Sequence, residues 1–289
     1  MQYIDFKTKS DEKIFSLVDH RLEESSVPLL HLKKLDETGL VKHCFTTREG
    51  GVSKDIYSTM NLSFTRGDDE KSVMENYRRI AAVMNEDITA FVCSDQTHTT
   101  NVIRVGKAQG GIGITKQKPY TDVDGLVTNE PGVVLSTFYA DCVPLFFVDT
   151  KNKAIGLSHS GWRGTVGRMG HKTLVKMKEE YGTSPEDVVA AIGPSICQSC
   201  YEVSEDVAYK FIEEFEGFEK EILIDKGNGK YQLDLWKANE IVLLQSGILK
   251  ENLAVTNICT CCNSKLLFSH RASAGKRGNL GAFICLVDN

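Results

Sequence analysis

The stretch Tyr139-Ala-Asp-Cys142-Val-Pro-Leu-Phe-Phe-Val148-Asp-Thr-Lys-Asn-Lys153-Ala-Ile-Gly-Leu-Ser-His159-Ser-Gly-Trp-Arg163-Gly-Thr165 organises this chain. Val143 to Val148 is an apolar run rich in β-formers, Asp149 to Lys153 is polar turn material, and Ala154 to Leu157 is a second apolar run, so the segment reads as a β-hairpin. Cys142 opens its first strand and His159 closes its second. A turn centred on Thr150 and Lys151 sets positions 142 and 159 directly opposite, with Cβ atoms about 5 Å apart, a spacing that suits two ligands of one metal ion. A turn centred one residue later makes the pair diagonal, and Thr-Lys is not a strong two-residue turn signal, so both registers stay open.

Working outward, 289 residues with 41% hydrophobic content can bury a substantial core, and no apolar run approaches the length of a membrane span. The first residues lack the apolar segment of a signal peptide, so the expectation is a cytoplasmic protein without a membrane partner. Nine cysteines are an odd count and no export signal accompanies them, which favours reduced thiols and metal ligation over a disulfide framework. A net charge of −5 argues against a nucleic-acid surface, so an anionic substrate would be held by a few local cations.

Residues 1–35 read as a peripheral segment with a strand or two. Leu40 to Thr46 has strand character and leads into Thr47-Arg48-Glu49-Gly50-Gly51, a loop whose paired glycines allow close approach to a ligand and where Arg48 could meet an oxyanion. The alternative is an ordinary glycine turn with a solvated arginine. Asn61 lies in similar polar loop material. From Asp69 to Met84, the spacing of Val73, Tyr77, Ile80, Ala81 and Met84 fits one face of an amphipathic helix. Two strand-like runs, Phe91 to Ser94 and Val102 to Val105, flank a loop that contains His98. A lone loop histidine is ordinarily a surface residue, so His98 gains weight as a third ligand only through Cys142 and His159. Gly111-Ile112-Gly113 is followed by no helix signal and is not a dinucleotide fingerprint. Asp122 or Asp124 could enter the site or cap a turn.

After His159, Ser160 to Gly164 leads into a helix expected from about Thr165 to Tyr181, with Gly182 as its stop. This junction offers backbone N–H groups to an anion, and Arg163 adds a charge; a structural ion pair is the alternative for Arg163. A strand from Asp187 to Ile192, helices from Ser204 to Phe215 and from Leu233 to Ser246, and a last strand from Leu280 to Val287 follow. Cys197/Cys200 and Cys259/Cys262 each have Cys-x-x-Cys spacing. The stretch between the pairs far exceeds the loop of a zinc ribbon, so packed, reduced thiols are preferred there over a four-cysteine site. No repeat or Pro/Ser linker divides the chain, and one domain over 1–289 is expected.

Three protein ligands from the Cys/His set leave one position of a tetrahedral zinc for water or substrate, which is the catalytic arrangement. Such an ion lowers the pKa of bound water and polarises a heteroatom, bringing hydrolytic deamination within reach. Arg48, Arg163 and Arg271 are the cations available to a phosphate. Cys142 as thiolate nucleophile with His159 as base is a metal-free use of the same residues, suited to an amide or peptidoglycan fragment.

With these residues in place, the sequence resembles the laccase-domain family, known as multicopper polyphenol oxidoreductases, as purine nucleoside phosphorylases with adenosine deaminase activity, and as a peptidoglycan editing factor type. Thr47-Arg-Glu-Gly-Gly-Val-Ser53, Gln96-Thr-His98, Ala140-Asp-Cys142, His159-Ser-Gly-Trp-Arg-Gly-Thr165, Ile192-Gly-Pro-Ser-Ile196 and Phe268-Ser-His-Arg271 carry the resemblance. It implies an α/β (α+β) fold of mixed sheets flanked by helices, of cytotoxic-necrotizing-factor-like cysteine hydrolase type. It implies Zn2+ on His98, Cys142 and His159, with Cys142, His159 and Arg48 catalytic and Arg48, Asn61, Arg163 and Arg271 contacting substrate or phosphate. The implied reaction is phosphorolysis of adenosine, inosine and S-methyl-5'-thioadenosine, with deamination of adenosine as a second activity, in a monomer or homodimer. Two departures stand out: Thr99 follows His98 where the family usually has Gly, and the terminal Thr-Gly-Arg pattern becomes Arg277-Gly278-Asn279, which leaves an arginine role there open unless Arg277 substitutes from a shifted position. Copper polyphenol oxidase chemistry fits less well, since a multicopper centre needs more histidines than the seven present.

Overall fold

The computed structural model describes residues 6–288 apart from 11, 13 and 24. Its described strands form three sheets. The first has the spatial order β1 (Phe15–Arg21), β2 (Ser26–Leu32), β3 (Val41–Thr46), β15 (Leu280–Leu286), β7 (Val134–Tyr139) and β4 (Phe91–Cys93). The second runs β14 (Leu253–Val255), β10 (Val188–Ile192), β8 (Val143–Asp149), β9 (Ala154–Ser160), β6 (Gly125–Thr128) and β5 (Val102–Arg104). A small third sheet joins β11 (Glu202–Ser204), β13 (Lys230–Leu233) and β12 (Leu223–Gly227). The helices are α1 (Lys33–Asp36), α2 (Glu70–Met84), α3 (Trp162–Val166), α4 (Met169–Tyr181), α5 (Glu205–Glu214), α6 (Glu219–Ile222) and α7 (Leu235–Gln245). Both large sheets are mixed, with parallel pairs β4–β7, β5–β6 and β10–β14 among antiparallel ones. This is the expected α+β architecture of mixed sheets with helices on their outer faces.

The two six-stranded sheets pack face to face, and period-two alternation explains how each strand serves two cores. On β8, Phe146 and Val148 point between the sheets, while Val143, Leu145 and Phe147 meet the layer that includes α4 and α7. On β15, Ala282 and Ile284 face the inter-sheet core, while Phe283 and Cys285 join Val73, Tyr77 and Ile80 of α2 on the other face. A strand buried on both faces has no polar side, which is why these stretches read as continuous apolar runs. Helix α2 buries the five residues its spacing predicts, with Asp69 as N-cap, its side chain accepting from the Ser72 N–H. The first 35 residues supply edge strand β1 and, next to it, β2, whose Leu29 and Leu30 are fully buried.

The structure decides three local points. Val143 pairs with Ser160 and Pro144 with His159, so the hairpin takes the later of its two registers and Cys142 lies diagonal to His159. The reason is Asp149, whose Oδ1 accepts the N–H groups of Lys151 (3.0 Å) and Asn152 (2.9 Å) and thereby builds a four-residue turn in place of a Thr-Lys one. The helix expected from Thr165 to Tyr181 is two helices, α3 and α4. Between them Arg168 adopts φ +58°, with its guanidinium on Glu214 at 3.0 Å. Finally, β4 and β5 belong to different sheets, so the His98 loop crosses from one layer to the other.

Candidate metal centre and cavity

The site is assembled around Asp124, which is buried and lies one residue before β6. Its Oδ1 accepts from His159 Nδ1 at 2.7 Å and from the His98 N–H at 3.1 Å. Its Oδ2 accepts from the N–H groups of Thr97 (3.0 Å) and Thr99 (3.1 Å). One carboxylate therefore fixes both histidines, one through its ring and the other through its backbone, and His98 is held at φ +69°. Of the two aspartates left open by the sequence, Asp124 enters the site, while Asp122 accepts from Thr97 Oγ1 and braces the loop. Burial pushes the Asp124 carboxyl up, but hydrogen bonding and charge from His159, with the backbone donors, outweigh it and hold it below the usual range.

With Nδ1 committed to Asp124, His159 presents Nε2 as its free ring nitrogen, the arrangement of a carboxylate-oriented metal ligand. Cys142 follows Asp141, a non-glycine residue at φ +91°. That backbone is locked by its own carboxylate, which accepts from Thr260 Oγ1 at 2.6 Å and from the Arg271 N–H at 2.7 Å. The rings of His98 and His159 stand edge to face with centroids 5.0 Å apart, and Cys142 Sγ is 3.9 Å from His98 Nε2. One donor atom from each of the three side chains lies within 4.8 Å of the others. Gly161 makes this convergence possible, because a Cβ there would sit 2.9 Å from His98 Cδ2 and 3.1 Å from Cys142 Sγ.

Charge in the trio is arranged as a thiolate beside an imidazolium, whose proton an incoming ion would displace. Burial raises the Cys142 thiol, but the neighbouring His159 outweighs it and brings the group down to about 6. Burial likewise lowers His159, but the Cys142 thiolate and Asp124 bring it up to about 9. One thiolate, two imidazoles and a supporting carboxylate form a donor set that fits a divalent ion such as zinc, with one position left for another ligand.

The trio lines a cavity of about 370 Å³, together with Arg66, Arg277, Lys118 and an apolar wall that includes Leu62, Phe64 and Phe138. Arg48, Asn61, Arg163 and Arg271, expected to contact substrate or phosphate, do not line it. Arg48 donates from Nε to the Ser58 carbonyl (2.8 Å) and from a terminal nitrogen to the Ser264 carbonyl (3.0 Å), with its guanidinium over Phe268. Asn61 is buried behind the wall, donating to Asp68 and accepting from the Asn279 N–H. Arg163 stacks on Trp162 at 4.2 Å, and Arg271 donates to the Glu202 carbonyl at 2.9 Å. Their chemistry is right, but their forks are turned to carbonyls and rings outside this cavity.

Arg277 does line the cavity, with one terminal nitrogen donating to the Gly278 carbonyl at 3.2 Å and to Asn279 Oδ1. Its Nε is buried without a partner, and burial together with the charge of Arg66 lowers its pKa to about 10. Arg66 lies beside it, with Nε donating to the Arg277 carbonyl at 3.2 Å. The signal in the sequence was the displaced Arg277-Gly278-Asn279; Arg66 and Lys118 carried none.

Three Cys and His side chains that could hold a metal ion thus stand at the wall of an arginine-bearing cavity. Over residues 42–287 the chain matches the family described as multi-copper polyphenol oxidoreductase laccase, and it belongs to that family. It is 35% identical over 241 residues to the purine nucleoside phosphorylase YlmD of Bacillus subtilis, covering 83% of this chain and 86% of that one. It is 33% identical over 247 residues to adenosine deaminase RL5 from an unknown prokaryotic organism, covering 84% and 94%. The crystal structure of YlmD from Geobacillus stearothermophilus superimposes with a TM-score of 0.84 at 32% identity, over 94% of this chain and 100% of that chain.

Proposed function

We propose that this protein is a zinc-dependent purine nucleoside phosphorylase that cleaves adenosine, inosine and S-methyl-5'-thioadenosine, with deamination of adenosine as a side activity. The observation that carries the reading is the convergence of His98, Cys142 and His159 on the same cavity as the unpartnered Nε of Arg277. When bound, zinc supplies Lewis acidity at the His98, Cys142 and His159 donors. Zinc suits this donor set better than a multicopper centre, because no potential metal cluster among the described residues contains more than two histidines.

The chain's own residues supply binding and orientation. Arg277, assisted by Arg66, grips a phosphate dianion through charge-assisted hydrogen bonds in a cavity that is partly apolar. The apolar wall holds the nucleoside so that a phosphate oxygen faces C1′ from the side opposite the base. The C1′–O bond forms as the C1′–N9 bond breaks, and the departing purine takes up the proton carried in by the phosphate dianion, giving free base and ribose 1-phosphate or its methylthio analogue. Positioning supplies much of the acceleration in such a transfer. His98 and His159, held by Asp124, need no rearrangement as charge develops.

A second reading uses Cys142 as nucleophile and His159 as base in a metal-free hydrolase, as in the cytotoxic-necrotizing-factor-like type. The lowered Cys142 thiol supports it. We place the enzyme in the cytoplasm as one domain, a monomer or a homodimer; no described helix is long and apolar enough to cross a membrane.

The test is incubation of purified protein with each nucleoside, with and without phosphate, before and after chelation. Base release that requires both phosphate and metal supports the phosphorylase. Release indifferent to phosphate counts against it, and amide hydrolysis that survives chelation supports the cysteine hydrolase. Cys142→Ala should lose turnover together with one equivalent of metal.

A further inference from the structure

Beyond the cavity, the structure draws together the two Cys-x-x-Cys pairs. The long intervening stretch made packed, reduced thiols the expected reading; the four are free thiols, and the parallel pairing of β10 with β14 brings the two pairs together. Ile192 pairs with Val255, so the loops leaving both strands run side by side in the same direction. The ladder continues past the strand ends: the Ser195 N–H donates to the Ile258 carbonyl at 3.1 Å, and the Thr260 N–H donates to the Ser195 carbonyl at 3.1 Å. Each pair therefore arrives at the same height. The excursion between them is taken up by the small third sheet and helices α5 to α7.

One sulfur from each of Cys197, Cys200, Cys259 and Cys262 lies within 4.8 Å of the others, and Cys200 Sγ is 3.5 Å from Cys262 Sγ. Four sulfurs at about 2.3 Å from a tetrahedral zinc stand about 3.8 Å apart, so the cluster is already close to that shape. A disulfide needs about 2.05 Å and would use only two of the four. The backbone is arranged for a thiolate: Cys259 Sγ accepts the N–H of Cys197 at 3.3 Å and that of Cys262 at 3.4 Å. Cys197 and Cys259 are buried, whereas Cys200 and Cys262 are partly exposed and provide the route of entry.

We infer that Cys197, Cys200, Cys259 and Cys262 bind a second zinc ion in a closed, structural four-thiolate site. Binding converts the four thiols to thiolates, with their protons released to solvent and no change in oxidation state. Four protein ligands leave no position for substrate, so this ion does no chemistry. It clamps the loop after β10 to the loop after β14. Both loops hold Asp141: the Ile196 N–H donates to the Asp141 carbonyl at 2.9 Å, and Thr260 Oγ1 donates to its carboxylate. The clamp therefore supports the strained residue immediately before Cys142.

The test is metal analysis of the full chain purified under reducing conditions and supplied with zinc. Wild type should carry two zinc ions per chain, and both Cys142→Ala and the Cys200→Ser/Cys262→Ser double variant should carry one. A double variant with as much zinc as wild type overturns the proposal. Should that variant fail to fold, metal-free wild type titrated with Co2+ decides the matter. Sulfur-to-cobalt charge transfer of four-thiolate intensity supports the site; saturation at the intensity of a single thiolate overturns it. A Cys200–Cys262 disulfide in native protein kept under reducing conditions also overturns it.

Discussion

Replacing Asp124 with asparagine preserves shape and removes the charge on which the centre is built. The carboxylate receives His159 Nδ1 and the His98 N–H on one oxygen, and the N–H groups of Thr97 and Thr99 on the other. An asparagine has one acceptor oxygen, so either orientation turns its NH2 group toward two donors. Facing the loop, it strands Thr97 and Thr99, at about 1–3 kcal/mol for each donor that water does not reach. Facing His159, it leaves the Nδ1 proton without an acceptor and favours the tautomer that protonates Nε2, the ligand nitrogen. Partial hydration of the loop brings the expected destabilisation to about 2–4 kcal/mol, or a melting point lowered by about 3–7 °C for a chain of 289 residues. Loss of the orienting partner should weaken metal binding by about 10- to 100-fold. Competition against a chromophoric chelator reads the affinity, and melting of metal-free wild type and variant reads the structural term separately. A variant that binds zinc within twofold of wild type and melts at the same temperature would refute the role assigned to Asp124.

Arg277→Met should raise the KM for phosphate by about tenfold or more, while Arg48→Met should leave that KM nearly unchanged and lower stability through its two carbonyl contacts, by about 1–3 kcal/mol. Phosphate titrations of both variants check this, and equal KM effects would contradict the cavity assignment. Acid should destabilise the fold through His43, whose Nε2 accepts the Leu32 N–H at 2.8 Å and whose pKa is pushed down to about 3 by burial and by His31. Because the unfolded chain binds that proton below about 6.5, stability is intact above that pH and falls as pH drops toward 3, by about 2 kcal/mol at pH 5. Urea midpoints at pH 7 and pH 5 should converge for His43→Gln; an unchanged gap would remove His43 as the cause.

The donor trio was legible because each member sits at the end of a recognisable strand or in a loop between two. What escaped the sequence was decided by side-chain contacts, some within a turn and others across long separations. The register of the β8–β9 hairpin depended on the Asp149 side chain folding back on its own turn, which apolar spacing does not report. Choosing between Asp122 and Asp124 required knowing which one faces His159. Arg48, Arg163 and Arg271 have the right functional group and lie near strand ends, yet carbonyl and ring partners hold them outside the cavity, whereas Arg277 lines it, with a terminal nitrogen on the Gly278 carbonyl and Asn279 and a buried, unpaired Nε. The four cysteines met through a parallel strand pair that local pattern could not foresee. The β12–β13 hairpin was readable and missed: Asn228-Gly229, both at positive φ, is a strong tight-turn signal.

The tip of the β8–β9 hairpin, Thr150 to Lys153, lies a full strand away from His159, roughly 20 Å along the chain. Because both faces of β9 are covered, an extra residue taken up inside the turn leaves the ladder as it is, whereas one absorbed by sliding β9 a single position would turn its side chains to the opposite face and carry His159 away from Asp124. The turn can therefore vary in length only as far as its own residues absorb the change without moving the strand that carries His159.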